Sequence, residues 1–162
     1  MPHPAAHRSA FLPLCLLSLS LLLGLTSCSG LQFRRDFNAA IKAPPQEGVV
    51  GAWSGTWSSR VNGHQGTLQC LVTPPASPEA PHTFRYRATW MKILSGTFSS
   101  DHQVKPAGAG KWTFSGQHQM PKWAGGLYSY LGTIQNDSFH ATYDCAMDRG
   151  DYRMTRVSTA SP

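Results

Sequence analysis

From Val49 onward, aromatic and β-branched residues recur at alternate positions, and glycine-bearing turns interrupt them roughly every ten residues. Side chains on a strand point to opposite faces in turn, so this pattern commits most of the chain to β-sheet with one apolar face. Trp53, Gly55, Trp57 and Val61 share a face, opposed by Ser54, Thr56 and Ser58. After the turn Asn62-Gly63-His64-Gln65-Gly66, Leu68, Cys70 and Val72 return in phase, as in a hairpin. Phe84, Tyr86, Ala88 and Trp90 then alternate with Arg85, Arg87 and Thr89.

The pattern continues to the end of the chain. A weaker strand covers Gly96 to Val104, followed by one carrying Trp112 and Phe114. Tyr128, Tyr130, Gly132 and Ile134 form the next set, then Phe139, Ala141, Tyr143 and Cys145, and lastly Tyr152, Met154 and Arg156. Pro74, Pro75, Pro78 and Pro81 mark a long loop, because proline lacks the ladder donor. The prediction is an all-β domain: a small closed antiparallel barrel of about eight strands, preceded by a short N-terminal helix. A two-sheet β-sandwich is the alternative, since strand count does not show whether the first and last strands pair.

The N-terminal part follows other rules. Phe11 to Leu25 is an apolar run shorter than the roughly 20 residues a bilayer span takes, behind a weakly basic start of His3, His7 and Arg8. It reads as the core of an export signal, with an uncleaved membrane anchor or buried helix as the competing reading. Next, Phe33, Phe37, Ala40 and Ile41 fall on one face of a helix within Leu31 to Lys42, which Pro44 and Pro45 end. This helix either packs on the domain or lies at a membrane surface. The chain thus divides into a signal (1–27), a segment of cysteine, helix and linker (28–48), a barrel domain (49–157) and a tail (158–162).

Export bounds the chemistry. The chain carries 14 Lys and Arg against 8 Asp and Glu, a formal charge of +6 spread without basic runs longer than Arg34-Arg35. That excess points to ordinary solubility or attraction to anionic headgroups, and nucleic acid is not an expected partner. Of the four cysteines, Cys15 lies in the signal and Cys28 at its end. Cys70 and Cys145 remain, either as a disulfide in an oxidising compartment or as two buried free thiols.

The in-phase aromatics Trp53, Trp57, Tyr86, Trp90, Trp112, Tyr128, Tyr130 and Tyr143 are the candidate lining of an apolar ligand pocket, and equally candidates for a core. Buried tyrosine hydroxyls need partners, which favours Tyr128 and Tyr130 for polar contacts to a ligand. His64, His82, His102, His118 and His140 show no compact metal-ligand spacing and are expected at the surface. No catalytic residue, metal site or cofactor is expected. Asp144, Asp148 and Asp151 cluster near the last turn, where aspartate is a common turn residue.

Two resemblances add to this reading. Leu25-Thr26-Ser27-Cys28 resembles the lipobox of bacterial lipoproteins, which implies cleavage before Cys28 and a diacylglycerol on its sulfur; plain secretory cleavage near Ser27 or Ser29 is the competitor. Gly51 to Ser59, Asn62 to Leu68, Ala124 to Gly132 and Asp148 to Arg156 look like a group of uncharacterised bacterial lipoproteins, which implies a lipid anchor and a β domain. Ser29, where enteric family members retained at the inner membrane have aspartate, implies the periplasmic face of the outer membrane. Gly51-Ala52-Trp53 and Arg156 are similar to the lipocalin pattern of a first-strand Gly-x-Trp beneath a last-strand arginine. Gly55-Thr56-Trp57 duplicates the motif and leaves its register open. The expected function is binding of a small apolar molecule or lipid inside the barrel. The alternative is a protein-interaction or inhibitor module of the cell envelope, acting through Pro74 to His82 and the turns.

Overall fold

The computed structural model describes residues 29–44, 46, 48–90, 94–159. The apolar run read above as an export signal, Cys28 and the last three residues of the chain lie outside the described residues. Residues 29–42 form helix α1. Eight strands follow: β1 (Gly51–Ser59), β2 (Gln65–Val72), β3 (His82–Trp90), β4 (Leu94–Pro106), β5 (Lys111–Gln119), β6 (Leu127–Gln135), β7 (Ser138–Asp144) and β8 (Arg149–Arg156). A single 3-10 turn, Lys122–Ala124, interrupts the β5–β6 connection.

Each strand pairs antiparallel with its neighbour, and β1 pairs with β8, from Trp53↔Arg156 to Ser59↔Gly150. That seam makes the sheet a closed barrel and excludes the sandwich. It also removes both sheet edges. β4 is longer than the weak strand expected between Gly96 and Val104, while Val61 is exposed in the β1–β2 turn and Cys145 lies beyond the end of β7.

Closure depends on where side chains are missing. A Cβ on Gly55 would sit 2.0 Å from the Arg153 carbonyl oxygen, so β8 crosses β1 at a distance only glycine permits. Gly51, at φ 130°, leaves its side-chain space to the Arg156 guanidinium.

That guanidinium lies 4.2 Å from the centre of the Trp53 ring, over its face. It donates to the carbonyls of Val50 (2.7 Å) and Gly48 and to the Asp137 carboxylate (3.0 Å), while the Trp53 indole N–H reaches the Val49 carbonyl at 3.0 Å. The structure therefore selects the first of the two Gly-x-Trp motifs. Trp57 stands near the opposite end of β1, its indole N–H donating to the Thr89 carbonyl at 2.9 Å.

The interior holds the inward phase of every strand. Trp53, Leu68, Val72, Phe84, Phe114, Ile134 and Phe139 pack the half beneath Arg156. His102 is buried among them, its ring 4.5 Å from Phe84 and 5.3 Å from Phe114, which corrects the expectation of a surface histidine. The physical reason is strand phase: on β4, His102 shares the inward side with Phe98, Ser100 and Val104.

A second, smaller core lies outside the barrel. Phe33 and Phe37 of α1 pack on Ala52 and Leu71, outward-facing residues of β1 and β2. Arg85 fastens the helix, donating to Asp36 at 2.7 Å with its guanidinium 5.8 Å from the Phe33 ring centre. The apolar face of the helix is thus spent on the domain.

Of the two alternatives for Cys70 and Cys145, the structure has the free thiols and not the possible disulfide, with Cys70 buried and Cys145 only half-buried. Cys70 points inward on β2, and Cys145 lies beyond β7, with β1 and β8 between those two strands around the barrel. Burial pushes the Cys70 thiol well up, so it stays protonated.

Two substitutions test the closure. Gly55→Ala is expected to cost about 1–3 kcal/mol, the usual range for overpacking, because the obstructing atom is backbone. Arg156→Lys keeps the charge but loses the planar fork, and is expected to lower stability by about 1–2 kcal/mol. Urea unfolding of each variant against the native chain measures both.

Candidate functional site

In an up-and-down barrel alternate connections lie at the same end. The β1–β2, β3–β4, β5–β6 and β7–β8 connections rim the end away from Arg156, and the interior beneath them is not filled. A cavity of about 430 Å3 opens there. This size lies within the range of about 300–1,000 Å3 usual for small-molecule sites. Its walls are the inward residues at the rim ends of the strands, chiefly Trp57, Trp90, Phe98, Tyr128, Tyr143 and Tyr152, with Tyr130 deeper and His64, Met120 and Asp148 at the lip.

The aromatic walls are continuous. Trp57 and Trp90 meet at 6.3 Å between ring centres; Tyr128 stacks on Tyr130 and on Tyr143, each at 6.2 Å; Tyr143 and Tyr152 approach to 5.1 Å. Tyr86 forms the floor, stacked 4.9 Å from Phe98 and tilted against Tyr152 at 5.8 Å. All five tyrosines of the chain lie in this stack.

Polar groups are few and placed. Asp148 accepts from Ser59 Oγ at 2.6 Å, from Tyr143 Oη at 2.9 Å and from the Arg149 N–H at 2.8 Å. Tyr128 Oη donates to the Ala124 carbonyl at 3.1 Å. Burial pushes the Tyr86, Tyr130 and Tyr152 hydroxyls well up, and burial followed by the neighbouring Asp148 does the same for Tyr143. The phenols remain protonated donors through the physiological range.

The remaining acidic candidates have other duties. Asp151 pairs with Arg60, and Asp144 is exposed at the end of β7. Among the described residues no three His, Cys, Asp or Glu side chains could jointly hold a metal ion. A larger depression of about 590 Å3 lies on the outer face of β4 to β8. Thr113, Thr133 and Thr142 pave it, and it has no enclosing wall of apolar side chains.

Of the predicted lining, Trp57, Trp90, Tyr128, Tyr130 and Tyr143 surround the cavity, and Tyr86 lies beneath it. Trp53 and Trp112 do not: both belong to the Arg156 end, Trp53 fully buried and Trp112 packed at Gly48. Strand phase put them on the correct face but cannot tell which end of the barrel a residue occupies. Sequence reading missed Phe98, Met120, Tyr152 and Asp148 as lining. Tyr152 and Phe98 carried the signal, each inward and near the rim end of its strand. Met120 had none, because it comes from a connection.

The fold and site define a small up-and-down barrel, packed in one half and open in the other. Comparison with family models, curated proteins and solved structures finds no match to this chain.

His102 lies below this floor, with Nε2 3.5 Å from Tyr86 Oη and Nδ1 without a hydrogen bond. Burial lowers its pKa to about 4. As pH falls from its ordinary value near 6.5, the unfolded chain takes up the proton first, so the contribution to stability is full above that pH and lost toward pH 4. Denaturant unfolding from pH 7 to 4 is expected to show a loss approaching about 1.4 kcal/mol per pH unit at its steepest, much reduced in His102→Phe.

Proposed function

We propose that the protein is a lipid-anchored binding protein of the bacterial cell envelope, which takes a small apolar molecule or a lipid chain into the mouth of its barrel. The observation that carries this reading is the division of the interior. A barrel of this strand number can be filled by its own side chains, and the Arg156 half is. The mouth half keeps an aromatic-walled cavity instead. Its walls suit an apolar body, and Tyr128, Tyr143 and Asp148 at the upper edge suit a polar tip.

The lipobox at Cys28 supports anchoring, and Ser29 supports the outer membrane facing the periplasm. Lipid on Cys28 would keep the domain at the surface where apolar ligands concentrate. Among the described residues no helix is long and apolar enough to cross a membrane.

Titration with an environment-sensitive apolar fluorophore tests the reading. Saturable uptake with quenching of Trp57 and Trp90 is expected. Ala88→Leu, which adds side-chain volume to a cavity wall, is expected to weaken uptake about tenfold, equivalent to about 1.4 kcal/mol. Trp112→Phe, at the packed end, should leave it unchanged. Uptake that is absent, or indifferent to Ala88→Leu, would count decisively against the cavity as the binding site.

A further inference from the structure

Eight large apolar side chains are exposed among the described residues, and six of them crown one end of the barrel. Val61 stands on the β1–β2 turn, Trp90 and Leu94 flank the β3–β4 connection, Trp123 and Leu127 the β5–β6 connection, and Met147 the β7–β8 turn. Every connection at the mouth therefore carries at least one. The connections at the other end, 73–81, 107–110 and 136–137, carry none. Trp123, 82 % exposed, rests on a 3-10 turn with no buried residue of its own, so packing within the domain does not account for it.

The chain also enters the domain on the mouth side. Thr97 Oγ1 donates to Ser29 Oγ at 3.3 Å, and Thr97 lies three residues along β4 from Leu94. Leu31, in the same first turn of α1, is exposed as well. Because α1 is packed on the barrel through Phe33 and Phe37, no flexible linker separates Ser29 from the domain. A lipid on Cys28 would be tethered one residue, about 3.8 Å of backbone, from this point.

Charge completes the surface. Arg34 and Arg87 line a cleft of about 520 Å3 beside Ser29, with Ser95 and Thr97. Arg87 donates to Ser95 Oγ at 3.1 Å, and neither arginine has an ion-pair partner among the described residues. Guanidinium groups beside hydroxyls suit phosphate oxygens. Apolar tips with two tryptophans, Trp90 and Trp123, among them suit the interfacial layer just beneath the phosphates.

We propose that the mouth of the barrel docks on an anionic phospholipid surface, with the six apolar tips in the interfacial layer and Arg34 and Arg87 on lipid phosphates. The cavity then opens toward the bilayer, and a lipid chain can pass into it without crossing water. This rests on the binding reading only for what the cavity takes up; the docking itself does not need a ligand.

The experiment uses the lipidated chain reconstituted in phosphatidylglycerol-containing vesicles, some with bromine on the upper acyl carbons. A second form carries a flexible Gly-Ser spacer between Cys28 and Ser29, so that the tether no longer dictates orientation. Quenching of tryptophan fluorescence by bromolipid is expected in both forms, with most of it lost in Trp123→Ser. In the spacer form, Arg34→Gln and Arg87→Gln are each expected to shift the docking equilibrium about fivefold, the effect of one basic residue at an anionic surface. Bromolipid quenching absent from the tethered form, or lost when the spacer is inserted, overturns the proposal. Quenching without saturable uptake of the fluorophore keeps the docking and removes the binding reading, whereas uptake without quenching does the reverse. Circular dichroism of the exposed-site variants checks that each retains the fold.

Discussion

The seam between β1 and β8 is the constraint on which the molecule depends. Two strands at opposite ends of the β domain must meet, and a carbonyl of β8 comes so close to Gly55 that no side chain fits between them. Arg156 then fastens the seam from above, joining the Trp53 ring, two carbonyls before β1 and the β6–β7 turn through Asp137. A guanidinium suits this position because its flat face covers an indole while its edge donates in several directions. With the seam closed, the barrel gains an inside, and every inward residue acquires a depth as well as a face.

Depth is what separates packing from site. Near Arg156 the inward positions carry Phe84, Phe114, Phe139 and Ile134, which interdigitate and leave no room. Toward the mouth they carry tyrosines, whose hydroxyls need partners and whose rings stand along the wall in stacks. His102 and Tyr86 sit at the boundary, the one an uncharged ring in the core and the other the floor of the cavity. The outside is divided in the same way: apolar tips gather around the mouth, while α1 covers Ala52 and Leu71 on the flank.

Much of this was legible in the sequence. Alternation alone located all eight strands and put Tyr86, Phe114, Tyr130 and Phe139 on the inward face, because a two-residue period on a half-buried strand has one solution. The spacing of Phe33, Phe37, Ala40 and Ile41 marked the helix and its apolar stripe. Gly51, Trp53 and Arg156 carried the closing contact. His102 was misjudged because a histidine on a weakly patterned strand looks like a surface residue until Phe84 and Phe114 are seen around it. Cys70 and Cys145 were candidates for a bridge because pairing depends on position around the barrel, which spacing along the chain does not encode.

Sequence by itself determined the strands, their inward faces, the helix and its stripe, since each is a local consequence of side-chain period and backbone preference. Tertiary structure decided three things that no local pattern contains: that β1 closes on β8, that the helix spends its apolar face on the barrel, and that Trp57 borders a cavity while Trp53 does not. The physical reason is common to all three. A period assigns a residue to a face, but its surroundings depend on strands distant in sequence, and these acquire a fixed relation only when the sheet closes.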